Sequence, residues 1–367
     1  MGKQRRGESG WTGLICATAL LATIGSWPLF ARPVPVQPPV AAAAPAQKAT
    51  RILLLGTAGG PVLRLRRSEP AVLIMVGDRL YLFDCGVGTI RRILEAKLRP
   101  ETVSAVFITH LHPDHMLDLV NLMANKVYVA ATVPDSPRLP VYGPPGTRHL
   151  VDTALAYLDV PYGQFAAEKL ITNWPARDLF PVTDLAANGT VFDDGVIKVT
   201  TVGNSHYSSM SDAERKRRRS LSFRVETPDG VIVITGDTGP SRDVVALARG
   251  ADVLITEAMD IDAMSTQLRL LASKGMFRSN QMPLVLNHMA AEHLDLAQVV
   301  KLINESGVGS AILTHLGMES DVPGTRNYAE RVQAGVAATV FGGEDLDQYC
   351  LVRRAGAKAS AMLARCS

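Results

Sequence analysis

The chain has 367 residues, 47% of them hydrophobic and 20% charged, which is ample apolar material for a large core and excludes a disordered class. The formal net charge is +3, but Lys3, Arg5, Arg6, Arg32 and Lys48 all fall in the first 50 residues, where Glu8 is the one acid. From residue 51 onward 33 basic residues face 34 acidic ones, so the body carries no global basic excess and a nucleic-acid partner is not expected.

The first elements are a leader and a linker. Lys3, Arg5 and Arg6 precede an apolar run from about Trp11 to Phe30, so residues 1–31 read as a signal peptide or an N-terminal anchor. Residues 32–50, ARPVPVQPPVAAAAPAQ and its flank, read as an extended Pro/Ala-rich linker. This leader predicts a periplasmic or secreted protein, with any membrane contact made through the N-terminus. Residues 51–367 show no break in composition and are expected to form one domain. Of the cysteines in that domain, Cys85 is predicted to be a buried thiol. Cys350 and Cys366 either pair, as an oxidising compartment permits, or remain two free thiols.

From Arg51 the chain runs through short β-rich segments. RILLLGTAGGP is an apolar strand ending in a glycine-rich turn, and AVLIMVG with RLYLFDCG forms a hairpin at Gly77-Asp78. TIRRILEAKL has helical apolar spacing and stops before Pro100, and VSAVFITH is a buried strand. LPVYGPPG, a helix over TRHLVDTALAYL, the strand VIKVTTVGNSH and a hairpin across Pro228-Asp229-Gly230 follow. The short helix VVALARG, the strand ADVLITEA, a helix in HLDLAQVVKLINESGV and the strand SAILTH complete the pattern. Early hairpins and later strand–helix alternation predict an α/β layered fold with two sheets inside.

Chemistry concentrates after the strand VSAVFITH. In His110-Leu111-His112-Pro113-Asp114-His115, the two-residue period of an extended chain puts His110 and His112 on one side. Pro113 then turns the chain so that Asp114 and His115 can approach. Four imidazole and carboxylate donors within six residues suit zinc or a similar divalent cation. Three further strands deliver a donor where strand meets loop: His206 after VIKVTTVGNSH, Asp237 in TGDTG and His315 in SAILTH.

In this order, His-x-His-x-Asp-His, a strand-end histidine, Gly-Asp-Thr and Leu-Thr-His resemble the metallo-β-lactamase superfamily. The likeness is to the branch of ribonuclease Z, secreted arylsulfatases and class II cyclic-nucleotide phosphodiesterases, and it spans about residues 51–345. It implies a four-layer αββα sandwich and a dinuclear zinc centre, with Mn2+ or Fe2+ as other occupants. It further implies that His110, His112 and His206 hold one metal, that Asp114, His115 and His315 hold the second, and that Asp237 bridges them. His293, 22 residues before His315, corresponds to an acid group of that branch, although its His-Leu-Asp context differs from the branch's His-Ser-Thr. Glu257 in ITEAM corresponds to the branch's acidic partner. Asp114, Asp237 and His293 are the expected catalytic residues.

The resemblance and the leader together predict an exported hydrolase that cleaves a phosphodiester or sulfate ester by attack of a metal-bridging hydroxide. Its expected partner is a small anionic or ester substrate, with a homodimer as its possible assembly. The alternatives are ribonuclease Z-like 3′ tRNA endonuclease activity, a lactonase and a non-catalytic metal-binding protein on the same scaffold. Against ribonuclease Z stand the leader and the lack of a basic arm between Gly146 and Asp194. Against a lactonase stands Met116-Leu117-Asp118, where lactonases commonly carry Gly-Gly. The basic run Arg215–Arg219 reads as a solvated loop, with attraction of phosphate or sulfate as the functional alternative. His149 and His288 match no ligand position and read as surface or core packing.

Overall fold

The computed structural model describes residues 49–133, 135–171, 174, 176–317, 327–352 and 361–366. The predicted leader and all but the last two residues of the linker lie outside the described residues.

The chain begins with β1 (Arg51–Gly56), β2 (Ala71–Val76), β3 (Arg79–Phe83), α1 (Thr89–Glu95), β4 (Val103–Phe107), α2 (Pro113–Met116), α3 (Leu119–Thr132) and β5 (Val141–Gly143). It continues through α4 (Thr147–Ala167), β6 (Val182–Asp184), β7 (Gly189–Asp193), β8 (Lys198–Gly203), α5 (Asp212–Arg217), β9 (Leu221–Glu226), β10 (Val231–Ile234) and α6 (Arg242–Ala248). The last part holds β11 (Val253–Met259), α7 (Ile261–Ser273), α8 (Met282–Glu292), α9 (Leu296–Ser306), β12 (Ser310–Gly317), α10 (Tyr328–Gln333), β13 (Thr339–Gly342), β14 (Gln348–Val352) and β15 (Met362–Arg365).

Two sheets result. The first has eight strands in the order β15-β14-β1-β2-β3-β4-β5-β6, and the second has seven in the order β13-β12-β11-β10-β9-β8-β7. Side-chain alternation along each strand explains why they stack. In β1, Ile52 and Leu54 enter an inter-sheet core with Phe83, Phe107 and Phe223. Leu53 and Leu55 enter a separate core under the helices covering the first sheet, with Leu122 and Leu155. A third core packs Leu254 and Leu313 of the second sheet against Val299 and Leu302 of α9. Three apolar layers between four layers of structure make the predicted αββα sandwich. Phe83 stacks on Phe107 with centroids 4.8 Å apart, a contact adding about 0.5–1.5 kcal/mol beyond burial.

The local signals act as expected at several points. Gly77 takes φ 59° in the β2–β3 hairpin, a conformation that suits glycine. α9 starts at Leu296, three residues into the segment with helical spacing, because Asp295 forms a capping box with Gln298. His293 is therefore outside α9, in extended backbone at the end of α8. Helices α2, α3, α5, α7, α8 and α10 have no counterpart among the sequence expectations.

Candidate metal centre

All seven predicted ligands converge at one end of the sheets. β4 stops at Phe107, and the chain continues extended through His110 and His112 before Pro113 opens α2. Proline suits that first helical position, where its missing N–H is not needed. Asp114 and His115 occupy the first turn of α2 and are buried. His206 and Asp237 follow the ends of β8 and β10. His315 is the extra residue where the β11–β12 register shifts, and its φ of 47° is costly for a side chain with a Cβ. Such strain, on the order of 1–3 kcal/mol, persists where surrounding contacts over-determine it.

The donors face one another closely. Nε2 of His206 lies 3.1 Å from Nδ1 of His112. Asp237 sits between the two histidine sets: its Oδ2 is 3.1 Å from His315 Nε2 and 3.8 Å from His110 Nε2, and its Oδ1 is 3.4 Å from His115 Nε2. Asp114 Oδ2 is 3.5 Å from both His115 Nε2 and His315 Nε2. The ligand atoms of His110, His112, His206 and Asp237 lie within 4.8 Å of one another, as do those of Asp114, His115 and His315.

The remaining polar atoms test whether these residues fit a metal. Nε2 of His110, His115 and His315 and Oδ1 of Asp237 are buried without any hydrogen-bond partner. Burying such groups unpaired is costly, and a cation shared among them removes that cost. The far side of three rings is meanwhile pinned, while Nδ1 of His315 is also buried without a partner. Nδ1 of His110 is 3.0 Å from Thr109 Oγ1, and Nδ1 of His206 is 3.0 Å from the Glu292 carbonyl. Nδ1 of His115 is 2.8 Å from Asp84 Oδ2. With Nδ1 engaged, Nε2 is left to coordinate, so the donor set fits a divalent pair.

The electrostatics suit a cation site. Burial raises the Asp114 carboxyl, but His115 and His315 outweigh it and pull the group down to about 2. Burial would lower His315, yet Asp237 and Asp114 hold it up at about 10. His206 goes the other way, lowered to about 3 chiefly by burial, and burial takes His110 well below its ordinary value.

Two expected accessory residues also reach the centre. His293 Nδ1 is 2.7 Å from Glu257 Oε2, and Glu257 Oε1 accepts the Thr238 N–H at 2.6 Å. Glu257 is 1% exposed, so it is a buried partner rather than a surface carboxylate. The GTAGGP turn serves a ligand: the Gly60 N–H donates to Asp114 Oδ2 at 3.1 Å, and a Cβ at Gly60 would lie 2.3 Å from that side chain.

Several functional residues escaped the sequence reading. Asp84, in LFDCG, accepts the Thr109 N–H at 2.7 Å while holding His115. Its signal was an acid at the end of a strand adjacent to the one delivering the histidines. Glu292 is buried beside His293, accepts the Ser209 N–H and lies 2.9 Å from His288 Nδ1. His288 therefore corrects the packing expectation: with Leu284, Val285 and Met289 of α8 it lines a cavity of about 710 Å³ that opens on Asp114, Asp237 and His293. The basic run is also more than a solvated loop. Lys216 to Arg219 and His149 line a second cavity, of about 810 Å³, that reaches His112. Cys350 and Cys366 are joined in a disulfide, and Cys85 is a buried free thiol, with its ionisation pushed well up by burial.

Known proteins share this arrangement. Residues 79–316 match the model of the beta-lactamase superfamily domain. A ribonuclease Z of Mycolicibacterium gilvum is 29% identical over 291 residues, covering 79% of this chain and 90% of its own. A ribonuclease Z of Mycobacterium sp. strain KMS is 30% identical over 268 residues, covering 72% and 83%. Among solved structures, human tRNase Z, short form, superposes with a TM-score of 0.53 at 21% identity, over 81% of this chain and 98% of that one. The metallo-β-lactamase fold protein YhfI of Bacillus subtilis gives 0.57 at 18% identity, over 82% and 99%. Relatives named for ribonuclease activity overturn the expectation that nucleic acid is no partner. That expectation averaged charge over the whole body, whereas a local cleft such as the one at Lys216 to Arg219 is what a polyanion meets. The chain belongs to the metallo-β-lactamase superfamily, as a hydrolase of the branch that includes ribonuclease Z.

Proposed function

We propose that the chain is a dinuclear zinc phosphodiesterase that cleaves RNA, with a transfer-RNA precursor as the substrate to try first. The observation that carries this is the Asp237 carboxylate, within 4 Å of histidines from both ligand sets, in a chain 30% identical to a ribonuclease Z. Imidazole and carboxylate donors suit zinc, with Mn2+ or Fe2+ as substitutes. A divalent pair so held supplies an activated water and neutralises charge on the phosphoryl oxygens.

The chain's own residues do the rest. Asp237 sets the spacing of the two ligand groups, and Asp114, fixed by Gly60, closes the second. His293 faces the cavity beside His315, with ring centroids 5.8 Å apart, and its Nδ1 is held by Glu257. That leaves Nε2 to deliver a proton to the departing oxygen.

The test is a substrate panel with purified protein: a transfer-RNA precursor with a 3′ trailer, bis-p-nitrophenyl phosphate, p-nitrophenyl sulfate and a lactone, each with and without chelator. Chelator-sensitive cleavage of the precursor is expected, and Asp114→Ala should abolish it. Turnover of the sulfate or the lactone without cleavage of RNA would replace this reading. Activity indifferent to chelator and to Asp114→Ala would remove the metal centre from the reaction.

A further inference from the structure

His112 stands at the meeting of two cavities of opposite character. The one holding Asp114, Asp237 and His293 has an apolar wall, from Leu284, Val285 and Met289, and among the described residues no lysine or arginine lines it. The other is walled by Lys216, Arg217, Arg218 and Arg219, and among the described residues no carboxylate lines it. Another part of its wall is the start of α4, where Gly146 occupies the cap position and Asp184 Oδ1, outside the cleft lining, accepts the Arg148 N–H at 2.9 Å.

A basic run at the end of a short helix ordinarily complements that helix's own dipole, and Arg217 and Arg218 do lean on Glu214, at 3.6 and 2.9 Å. Those pairs are exposed, however, with the two arginine side chains 75% and 66% accessible, and such pairs contribute little. Both guanidiniums can turn to a stronger anion. Arg219 has another task. It donates to the Leu185 carbonyl at 3.2 Å and to Asn188 Oδ1 at 2.6 Å, anchoring the run against the cleft. The floor is apolar, with Leu111, Pro144 and Pro145, which suits the face of a base.

We infer that this cleft is a phosphate-binding subsite for a single nucleic-acid strand, seating a backbone phosphate beyond the one cut at the metal centre. The inference rests on the RNA reading above and adds a direction to it. The strand crosses His112, with its polyphosphate side over Lys216, Arg217 and Arg218. Its scissile group and the next base lie toward α8.

The test uses zinc-loaded full chain and the double variant Arg217→Ala/Arg218→Ala, with Arg217→Lys/Arg218→Lys as the charge-preserving control. Binding of a fluorescein-labelled single-stranded DNA oligonucleotide is followed by anisotropy at several salt concentrations. The slope of log affinity against log salt should shrink by about 0.7 for each phosphate no longer neutralised, and the lysine variant should restore it. With an RNA oligonucleotide, kcat/KM divided by that for bis-p-nitrophenyl phosphate should fall about tenfold, through KM, as expected for a charge interaction made only by the longer substrate. Lys301→Ala, on α9 away from this cleft, should change neither quantity. A slope and a ratio unmoved by the double alanine variant overturn the subsite. Wild-type protein that hydrolyses bis-p-nitrophenyl phosphate but no RNA overturns the RNA reading instead, and the DNA slope still decides whether the cleft holds phosphates.

Discussion

The Glu257 carboxylate lies 2.7 Å from Nδ1 of His293, both groups buried, at the edge of the centre defined by Asp237. Burial alone would push His293 below its ordinary value, but Glu257, with Asp237, more than offsets it and raises the group, favouring the charged imidazole. A positioned, charged imidazole matters only when the leaving oxygen needs a proton. His293→Ala should therefore cost about a hundredfold in kcat on RNA, whose leaving alkoxide is strongly basic, and much less on bis-p-nitrophenyl phosphate, whose nitrophenolate leaves unaided. Glu257→Gln should follow the same pattern more weakly. Equal losses on both substrates would show that His293 supports the metal ligands instead.

Asp84 reaches the centre directly through His115 and, by way of the Thr109 hydroxyl, through His110. Its Oδ2 sits 2.8 Å from Nδ1 of the His115 ring and also accepts the Thr109 hydroxyl at 2.9 Å. Asp84→Asn keeps the shape and removes the charge that orients the imidazole. Zinc affinity should drop about 10–100-fold, read by competition with a chromophoric chelator, while activity at saturating zinc recovers most of the way. Unchanged affinity would mean that the backbone alone orients His115.

Much of this centre could be read in the sequence because its ligands are short-range features of strand ends: the period-two pair His110 and His112, the proline turn, and single donors where β8, β10 and β12 finish. The layered fold was legible for the same reason, since apolar strands with polar turns repeat throughout. What stayed hidden depends on distant packing. Asp84 acquires meaning only when β3 pairs in parallel with β4, bringing Phe83 beside Phe107. His288 becomes part of the cavity only because α8 folds over the strand ends, and nothing in MPLVLNHMAAE marks that face. The basic run reads as a solvated loop because the chain from residue 51 onward carries no basic excess, whereas its placement along a cleft argues for a polyanion. Cys350 and Cys366 were undecided until β14 and β15 paired, Cys350 opposite Ala364.

The metal-free protein should show a pH dependence of stability with a maximum near the ordinary histidine value. His206 is depressed to about 3 in the fold, so it must gain a proton on unfolding below about 6.5. Its contribution is present above that pH and is lost as pH falls toward 3. His315 is raised to about 10 by Asp237 and Asp114, so its contribution is present below about 6.5 and is lost as pH rises toward 10. The zinc-loaded protein should not share the alkaline loss, because coordination requires the neutral imidazole and releases its proton. Unfolding midpoints of chelated and zinc-loaded protein, measured from pH 5 to 9, check this. Parallel curves for the two forms would contradict it.

The expected leader and the disulfide make one joint prediction about where the enzyme works. Residues 1–31 fused to a reporter active only after export should give signal, and replacing Lys3, Arg5 and Arg6 with glutamate should abolish it. The Cys350–Cys366 bridge closes a loop across a separation of 16 residues, and a loop of that size contributes about 3 kcal/mol by restricting the unfolded chain. Such bridges persist in oxidising compartments and are rare in reducing ones. Full-length protein recovered from the exported fraction should therefore yield the joined peptide by non-reducing mass spectrometry. Cys366→Ser should lower its stability by about 2–3 kcal/mol in denaturant titration, and the same substitution should have little effect on protein kept reduced. Reporter silence together with free thiols at both cysteines would place the enzyme in the cytoplasm, beside precursor RNA. Export with an intact bridge would instead mean that any RNA it cleaves is met outside.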